Sequence, residues 1–513
     1  MILPEPTKRN RTGQTTPREI RTFDNLTWPL AALLLFAPLF RSGQTPLAQL
    51  VLQLGALALI AIAVWSRARI IGVMRSEWLA LSLLLITPLL FLVPLPASWV
   101  AMLPGQAPYH ALLELVHGGD GVGWRPISLN RTATWGAWLA LLPPIVVYLA
   151  ARQVSAERVL QLSIIVILMA VVQALLGLLQ YVAGDGPLFL GMSSLQRATG
   201  TYTNPNHLAG LIEMTLPVAI GLYVHSLGQK TSHSGWHARI AFLATIRGHR
   251  AFWFAVLAVI LLLGMIFSRS RTGIAVMIFG IALLTILFSR RLGGYSVYGR
   301  VGTLLAFVVG LGFAIGLAPI FSRFAMFDPI EDGRLRLWTY SWDGIGTFFP
   351  VGSGPGTFSD VFPAFQGPDL GRWFINHAHN DYLEWVFEGG IIALVVMLLL
   401  GGLFARQWVL ALKSKGQEWG QYRFLQIGAG IGLSLLLLHE STDYNLMMPA
   451  NAIYFAFFAG VFMRDFRTGK QHVEKHLRPR TPYAPSTHQE QAIAEPADQA
   501  TRMPRKQHNP FMD

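Results

Sequence analysis

Long runs of apolar residues constrain this chain more than any other feature of its sequence. Residues 159–182, for example, contain no charged side chain. A bilayer core is crossed by about 20 helical residues, and a spanning segment must satisfy its own backbone hydrogen bonds. With 53% apolar and 13% charged residues, the chain is predicted to be an all-α polytopic membrane protein with about 12 transmembrane helices. The predicted spans are residues 26–41, 47–65, 77–96, 132–150, 159–182, 207–226, 251–268, 273–289, 301–321, 385–405, 424–440 and 449–463.

Basic residues between the spans predict which side each loop faces, because Lys and Arg accumulate in cytoplasmic loops. Basic clusters at 67–75 and 290–291 fall inside when the N-terminus is cytoplasmic, and an even number of spans returns the C-terminus to that side. We therefore expect a multi-pass protein of the cytoplasmic membrane, whose first apolar run is an uncleaved signal anchor. The formal net charge of +13 then reflects orientation in the membrane and does not indicate nucleic-acid binding.

The positions of the spans divide the chain into three regions. Residues 1–25 form a cytoplasmic N-terminal arm, residues 26–463 form the transmembrane domain, and residues 464–513 form a cytoplasmic tail whose polar, aperiodic composition predicts disorder. A large extracytoplasmic loop, residues 322–384, separates the ninth and tenth helices and is rich in Trp, Phe and Gly. We expect this loop to fold on the membrane surface. The chain has no Cys, which excludes disulfides, thiol catalysis and Cys-based metal sites.

Two pairs of arginines lie on the predicted extracytoplasmic side, where basic residues are disfavoured. Arg269 and Arg271 stand in a short turn between two spans. They either snorkel or pair with carboxylates, or they hold an anion such as a lipid-linked phosphate, which the guanidinium fork matches well. In the sequence RLRLW, a strand would place Arg334 and Arg336 on one face, whereas a helix would place Arg334 over Trp338. A solvated amphipathic face is the alternative for this second pair.

The densest polar chemistry lies in NHAHNDYLEWVFEGG, residues 376–390, just before an apolar run. Either Asn380 or Asp381 can cap the following helix, and Glu384 can complete a capping box with Asp381. The acidic residues here therefore have a structural explanation, because carboxylates in the first turn interact favourably with the helix dipole.

Two histidines in this stretch are not explained by capping. His377 and His379 precede the helix, and an imidazole that titrates near neutral pH suits general-base catalysis on a hydroxyl. Together with Asp381 they also alternate like metal ligands, but no distant His or Cys of suitable spacing completes a zinc site. The Gly-rich PVGSGPGTF, residues 350–358, lacks the Lys-Ser/Thr of a phosphate-binding loop and predicts a tight turn.

In this order, these motifs resemble the O-antigen ligase and polymerase superfamily of bacterial envelope glycan enzymes. The ligase signature is a His followed by Asn, Ser or Gln, then nine residues, Gly, two residues, and Gly, Thr or Tyr. His379, Asn380 and Gly390 fit this signature, while Ala393 departs at its last place. The resemblance covers about residues 190–463, and the other similar stretches are GTYTNPNHLAG, SRTG, the spacing of Arg334 and Trp338, GSGPGTF and DYNLMMPAN.

The resemblance implies a GT-C-type membrane glycosyltransferase with no cofactor. It takes a glycan from undecaprenyl diphosphate at the periplasmic face of the inner membrane, among the membrane lipids, and passes it to a lipid A-core or glycan acceptor in lipopolysaccharide biosynthesis. Arginines at a diphosphate leaving group can act without a metal, and direct displacement inverts the anomeric carbon. Carried over by position, His379 is the catalytic residue, and Arg271 and Arg334 hold the diphosphate. The further candidates are Arg269, Arg336 and Arg197 for the diphosphate, with His377, Asn380 and Asp381 in support.

Two alternatives to a ligase stay open at this point. A polymerase of lipid-linked O-antigen or exopolysaccharide repeats uses the same chemistry with a second lipid-linked repeat as acceptor, and the departure at Ala393 does not separate the two. A small-anion transporter would instead need charged or broken helices near the bilayer midplane. Glu213 is the main charged residue within the predicted helices.

Overall fold

The computed structural model describes residues 23–66, 72–116, 123–183, 197–228, 236–292, 333–413 and 419–465. Within these ranges the chain is mostly helical, and nine helices are long and apolar enough to cross a membrane. This observation confirms the predicted all-α polytopic membrane fold. The predicted ninth span and nearly all of the predicted N-terminal arm and C-terminal tail lie outside the described residues, as do residues 322–332 of the predicted large loop.

The helices are numbered here in chain order. The helices of the first half are α1 (Thr27–Phe36), α2 (Leu39–Ser42), α3 (Pro46–Trp65), α4 (Arg75–Leu92), α5 (Ala97–Ala101), α6 (Ala107–Val116), α7 (Arg131–Gln153), α8 (Ala156–Ala183), α9 (Pro205–Leu227) and α10 (Trp236–Leu243). Those of the second half are α11 (Ile246–Ser268), α12 (Arg271–Leu292), α13 (Arg334–Phe348), α14 (Phe358–Val361), α15 (Asp381–Lys413), α16 (Gln421–His439) and α17 (Pro449–Phe462). Two short antiparallel strands, β1 (Leu95–Pro96) and β2 (Trp124–Arg125), pair between α4 and α7.

The first and last predicted spans form helices that are shorter than predicted. Helix α1 has 10 residues and α17 has 14. After α1, Phe40 and Arg41 take positive φ values of 52° and 60°, which a right-handed helix of L-residues does not accommodate. At a rise of about 1.5 Å per residue, neither helix alone is long enough to cross a bilayer core.

Helix α9 lies at the centre of the described bundle. In its most apolar window 94% of the residues are buried, against at most 72% in the other described candidate spans. Glycines on α16 allow the two helices to approach closely. A Cβ atom on Gly428 would lie 2.8 Å from the Pro217 carbonyl oxygen, and one on Gly432 would lie 2.5 Å from that of Met214. Small residues at such crossings are typical of membrane helices, and this antiparallel contact brings the loop after α16 to the start of α9.

The described part of the predicted large loop, residues 333–380, is folded around its own apolar cluster. Phe348 on α13, Phe358 on α14 and Phe387 on α15 are buried together. The Phe387 ring lies 5.9 Å from that of Phe348 and 5.1 Å from that of Phe358, measured between centroids, a spacing that favours aromatic pairs. The cluster ties α13 and α14 to the first turns of α15, which starts four residues earlier than the predicted span.

The sequence RLRLW opens helix α13, so its helical interpretation is right and the strand interpretation is wrong. Arg334 is 8% exposed, whereas the side chain of Arg336 is 64% exposed. Residues two apart on a helix project about 200° from each other. The two arginines therefore face different surroundings.

Candidate functional site

One buried carboxylate joins side chains from separate parts of the chain. Asp443 lies in the loop after α16 and has no solvent exposure. Its Oδ2 accepts hydrogen bonds from Asn206 Nδ2 at 2.5 Å and from Arg334 Nη2 at 3.2 Å. Its Oδ1 lies 3.4 Å from His379 Nδ1 and 3.8 Å from His207 Nε2. These five side chains form what we term the Asp443 cluster.

The Asp443 cluster keeps its carboxylate ionised. Burial alone would raise the pKa of Asp443, but the nearby imidazole of His379 and the positive charge of Arg334 outweigh it and hold that pKa well below its usual range. A charged acceptor beside one ring nitrogen fixes the tautomer of an imidazole. Because Nδ1 of His379 faces Asp443, the Nε2 atom is the one left to exchange a proton.

Arg334 is the first residue of α13 and uses only part of its hydrogen-bonding capacity in the cluster. Its Nη2 donates to Asp443, while its Nε is buried and has no hydrogen-bond partner. A buried donor without a partner costs about 1–3 kcal/mol. Phosphate oxygens would satisfy such a donor, since guanidinium groups bind them through parallel N–H bonds.

His379 takes a backbone conformation that is uncommon for its residue type, with φ of +49°. The next residue, Asn380, donates from Nδ2 to the Ser441 carbonyl at 2.9 Å and accepts at Oδ1 from Leu383 N at 3.1 Å. Asn380 therefore caps α15 and anchors the preceding segment to the loop after α16. Backbone strain of this kind persists where the surrounding contacts impose it, which is frequent at functional sites.

Tyr444 contacts three imidazole rings. It stacks on His377 with a centroid distance of 4.3 Å, and it meets His379 and His207 edge-on, each at 4.7 Å. Burial raises the pKa of Tyr444 above its usual value, so its hydroxyl stays neutral at physiological pH. Tyr444 thereby fixes the positions of the rings without adding a charge.

Arg271 is brought beside the Asp443 cluster through the residue that follows it. The hydroxyl oxygens of Thr272 and Thr442 lie 3.2 Å apart, and Thr442 directly precedes Asp443. Since Arg271 opens α12, the start of that helix borders the loop that carries the cluster. Arg334 thus contacts this loop through its own side chain, whereas Arg271 starts the helix whose second residue contacts it.

Arg269 and Arg197 lie at the end of α11. Arg269 follows the last residue of the helix and has φ of +58°. Arg197 donates from Nε to the Ser268 carbonyl at 3.2 Å and from Nη2 to the Arg269 carbonyl at 3.4 Å. Cations are favourable at the carbonyl end of a helix. Arg197 therefore has a structural function as a cap of α11.

Arg336 is not brought into the Asp443 cluster. Its side chain pairs with Asp369 at 3.5 Å on the exposed face of α13. The prediction that Arg336 helps to hold a diphosphate has no geometric support from this placement.

His377 has a carboxylate partner of its own. Its Nδ1 lies 2.8 Å from Glu384 Oε1, and Glu384 Oε2 accepts from Ala378 N at 2.8 Å. Burial alone would lower the pKa of His377, but the charge and hydrogen bond of Glu384 outweigh it and raise that pKa. The predicted capping box of Asp381 and Glu384 is wrong, because Asn380 caps the helix and Glu384 turns back to Ala378 and His377.

Asp381 also binds within the protein. It is buried, its side chain accepts from Leu446 N at 3.2 Å, and its backbone N donates to the Glu440 carbonyl at 3.2 Å. Burial and the nearby Asp381 raise the pKa of Glu440 well above its usual range. The three alternating residues considered as zinc ligands thus have three different partners, and no metal-binding group of three such side chains occurs among the described residues.

The Gly-rich segment 350–358 forms the predicted tight turn. Its three glycines all take positive φ, and Glu388 accepts hydrogen bonds from Gly356 N and Phe358 N, both at 2.8 Å. The segment is therefore locked to the second turn of α15.

Glu213, the charged residue that bears on the transporter alternative, lies within the packed interface of α9 and α16. Its Oε1 is 2.9 Å from His439 Nδ1, and both side chains are fully buried. This placement gives no support to a charged, water-filled path.

Comparison with known protein families adds an independent observation. A family model described as O-antigen ligase matches residues 256–398. Over these residues, the match confirms the predicted resemblance to the O-antigen ligase and polymerase superfamily. No curated protein matched the chain. Together with the nine apolar helices, the family indicates a bacterial membrane protein.

The residues that match the family model include Arg271, Arg334 and His379 but not Asp443. Sequence reasoning did not select Asp443, Tyr444 or the Asn206–His207 pair as site residues, although all lie in stretches quoted for the resemblance. The signal that could have found Asp443 is an acidic residue four positions after the end of a span, where charge near the bilayer is expensive and often functional.

Proposed function

We propose that this protein is a glycosyltransferase of the bacterial inner membrane that transfers a glycan from undecaprenyl diphosphate to an acceptor hydroxyl at the periplasmic face, as an O-antigen ligase does. The observation that carries the proposal is the shared contact of Arg334 and His379 with Asp443. Through this contact, the guanidinium group of Arg334, which is suited to binding phosphate, and the imidazole of His379, which can accept a proton, lie beside the same carboxylate. The family match over residues 256–398 supports the same reaction class.

In the proposed reaction, the acceptor hydroxyl attacks the anomeric carbon of the glycan. The bond from that carbon to the diphosphate oxygen breaks, and undecaprenyl diphosphate leaves with the bonding electrons. Arg334 and Arg271 stabilise the charge that develops on this leaving group. Nε2 of His379 accepts the hydroxyl proton, and Asp443 stabilises the imidazolium that forms. A single displacement of this kind inverts the anomeric carbon and needs no metal ion.

The experiment uses purified protein, a radiolabelled glycan on undecaprenyl diphosphate, and either lipid A-core or a second lipid-linked glycan as acceptor. We expect one of the two acceptors to become labelled while an equal amount of undecaprenyl diphosphate is released, with and without EDTA. Labelled lipid A-core identifies a ligase, and a lengthened lipid-linked glycan identifies a polymerase. Donor that stays intact with both acceptors contradicts the proposal, and transfer that EDTA abolishes contradicts its metal-independent mechanism.

A further inference from the structure

A cavity of about 400 Å³ lies beside His377, among helices α3, α4, α7, α15 and α17. Its walls within the spanning helices are largely apolar, with Leu52, Leu84 and Leu141 on three different helices. Small-molecule sites are mostly apolar cavities with a few polar groups that fix orientation. This cavity has that character.

Polar groups of the cavity come from α15 and the segment before it, where Asn376, His377, Glu384 and Trp385 line it. Gln49 and Gln53 on α3 and Thr87 on α4 add further polar groups to the lining. An amide, an imidazole and a carboxylate beside an indole ring offer hydrogen bonds to hydroxyls and an aromatic face to an apolar surface. The cavity thus combines polar groups suited to a sugar with apolar walls suited to a hydrocarbon chain.

His377 is rigidly held in the cavity wall, with one nitrogen available. Its Nδ1 is bonded to Glu384, whose other oxygen is fixed by Ala378 N, and its ring stacks on Tyr444. No group in the described part of the chain makes a hydrogen bond to the Nε2 atom. The imidazole is 23% exposed. Its free nitrogen is therefore a preorganised hydrogen-bonding group.

The His377 pair is distinct from the Asp443 cluster, although both touch Tyr444. His379 contacts the carboxylate of Asp443, and His377 contacts that of Glu384. His377 lines the cavity, whereas His379 does not. Two neighbouring imidazoles with separate carboxylates suit two separate tasks.

We propose that this cavity is the acceptor site for a sugar-headed amphiphile, and that His377 Nε2 hydrogen bonds a hydroxyl of the acceptor sugar while His379 acts in the Asp443 cluster. This assignment rests on the proposed transfer reaction, because it takes the amphiphile to be the acceptor. His377 is then a recognition residue. Its loss weakens acceptor binding, seen as a raised KM, and leaves kcat nearly unchanged, the pattern of an interaction made equally in the ground and transition states.

The binding step is tested without any donor or transfer, using an octyl glucoside whose alkyl chain carries a diazirine. We expect irradiation of the purified protein to label residues of the cavity walls such as Leu52 and Leu141, and unlabelled octyl glucoside to compete. His377→Phe keeps a ring against Tyr444 and should reduce cavity labelling about tenfold, the effect of one lost hydrogen bond. His377→Gln keeps polar atoms and should restore part of it.

The matched control is His110→Phe on α6, where His110 pairs with Glu114 at 3.2 Å and does not line the cavity. This variant should label like the unmodified protein. Equal cavity labelling in His377→Phe overturns the role of His377, and equal labelling by a diazirine analogue of octanol shows a lipid site without sugar recognition. Labelling only outside the cavity overturns the assignment of the cavity as the amphiphile site. Since no glycan moves in this assay, these outcomes are independent of whether the proposed transfer occurs.

Discussion

Arg334 and Arg336 stand two residues apart on α13, yet only the first belongs to the Asp443 cluster. Arg334→Lys keeps the charge but loses the planar fork that binds two phosphate oxygens. We expect the transfer rate to fall about 10²–10³-fold, as when a donor to a developing charge is removed. The side chain of Arg336 pairs on the surface, so the transfer rate of Arg336→Lys should stay within about twofold of that of the unmodified protein. Rates measured with saturating donor compare the two, and equal rates would remove Arg334 from the site.

Asp443 is expected to act through its charge. Asp443→Asn keeps the size and the oxygen that can accept from Arg334, but it removes the negative charge that orients and stabilises His379. We expect kcat to fall about 10²–10⁴-fold, the usual range for loss of assisted proton transfer. Asp369→Asn removes the exposed carboxylate that pairs with Arg336 and serves as the control. A wild-type rate in Asp443→Asn would show that this carboxylate is only structural.

At the scale of helices, two glycines of α13 provide a matched pair. A Cβ on Gly344 would collide with the Phe387 ring, whereas nothing lies within 4 Å of one on Gly346. Gly344→Ala should destabilise the protein by about 1–3 kcal/mol through overpacking, and Gly346→Ala should stabilise it by about 0.5–1 kcal/mol. Thermal unfolding of the two variants in the same detergent measures the difference. Identical melting temperatures would mean that α13 does not pack on α15 as described.

Apolar runs were enough to predict most of the described spanning helices, because bilayer thickness alone sets their length. They did not predict the break after α1, where Phe40 and Arg41 in α2 adopt left-handed conformations that no composition signal marks. Periodicity also left the conformation of RLRLW ambiguous, because five residues fit both the helical and the strand period. Packing of α13 against α15, which depends on the fold, decides that ambiguity.

The candidate site was predictable only where one short motif contained it. His379 and Asn380 are adjacent, and the motif indicated them. Asp443, in contrast, meets Asn206 across 237 positions of sequence and Arg334 across 109. No local pattern reports contacts over such separations. The predicted capping box of Asp381 and Glu384 was wrong for a related reason. Glu384 accepts its hydrogen bonds from His377 and Ala378, which precede the helix.

At the scale of the whole molecule, orientation in the membrane can be tested cleanly because the chain has no native Cys. Trp373→Cys replaces a side chain that is 75% exposed on the predicted periplasmic side, and Arg158→Cys replaces one in a predicted cytoplasmic loop. A membrane-impermeant maleimide should label position 373 in intact spheroplasts and position 158 only after lysis. The reverse pattern would place the Asp443 cluster on the cytoplasmic side and exclude a periplasmic reaction.

The central claim is that Arg334, Arg271 and His379 meet at one diphosphate site. Electron cryo-microscopy of the purified protein with undecaprenyl diphosphate tests this claim most directly. We expect density for the diphosphate against the guanidinium groups of Arg334 and Arg271, with His379 beside it and still in contact with Asp443. Diphosphate density found away from both arginines, with Arg334 bonded to Asp443 alone, would contradict the account.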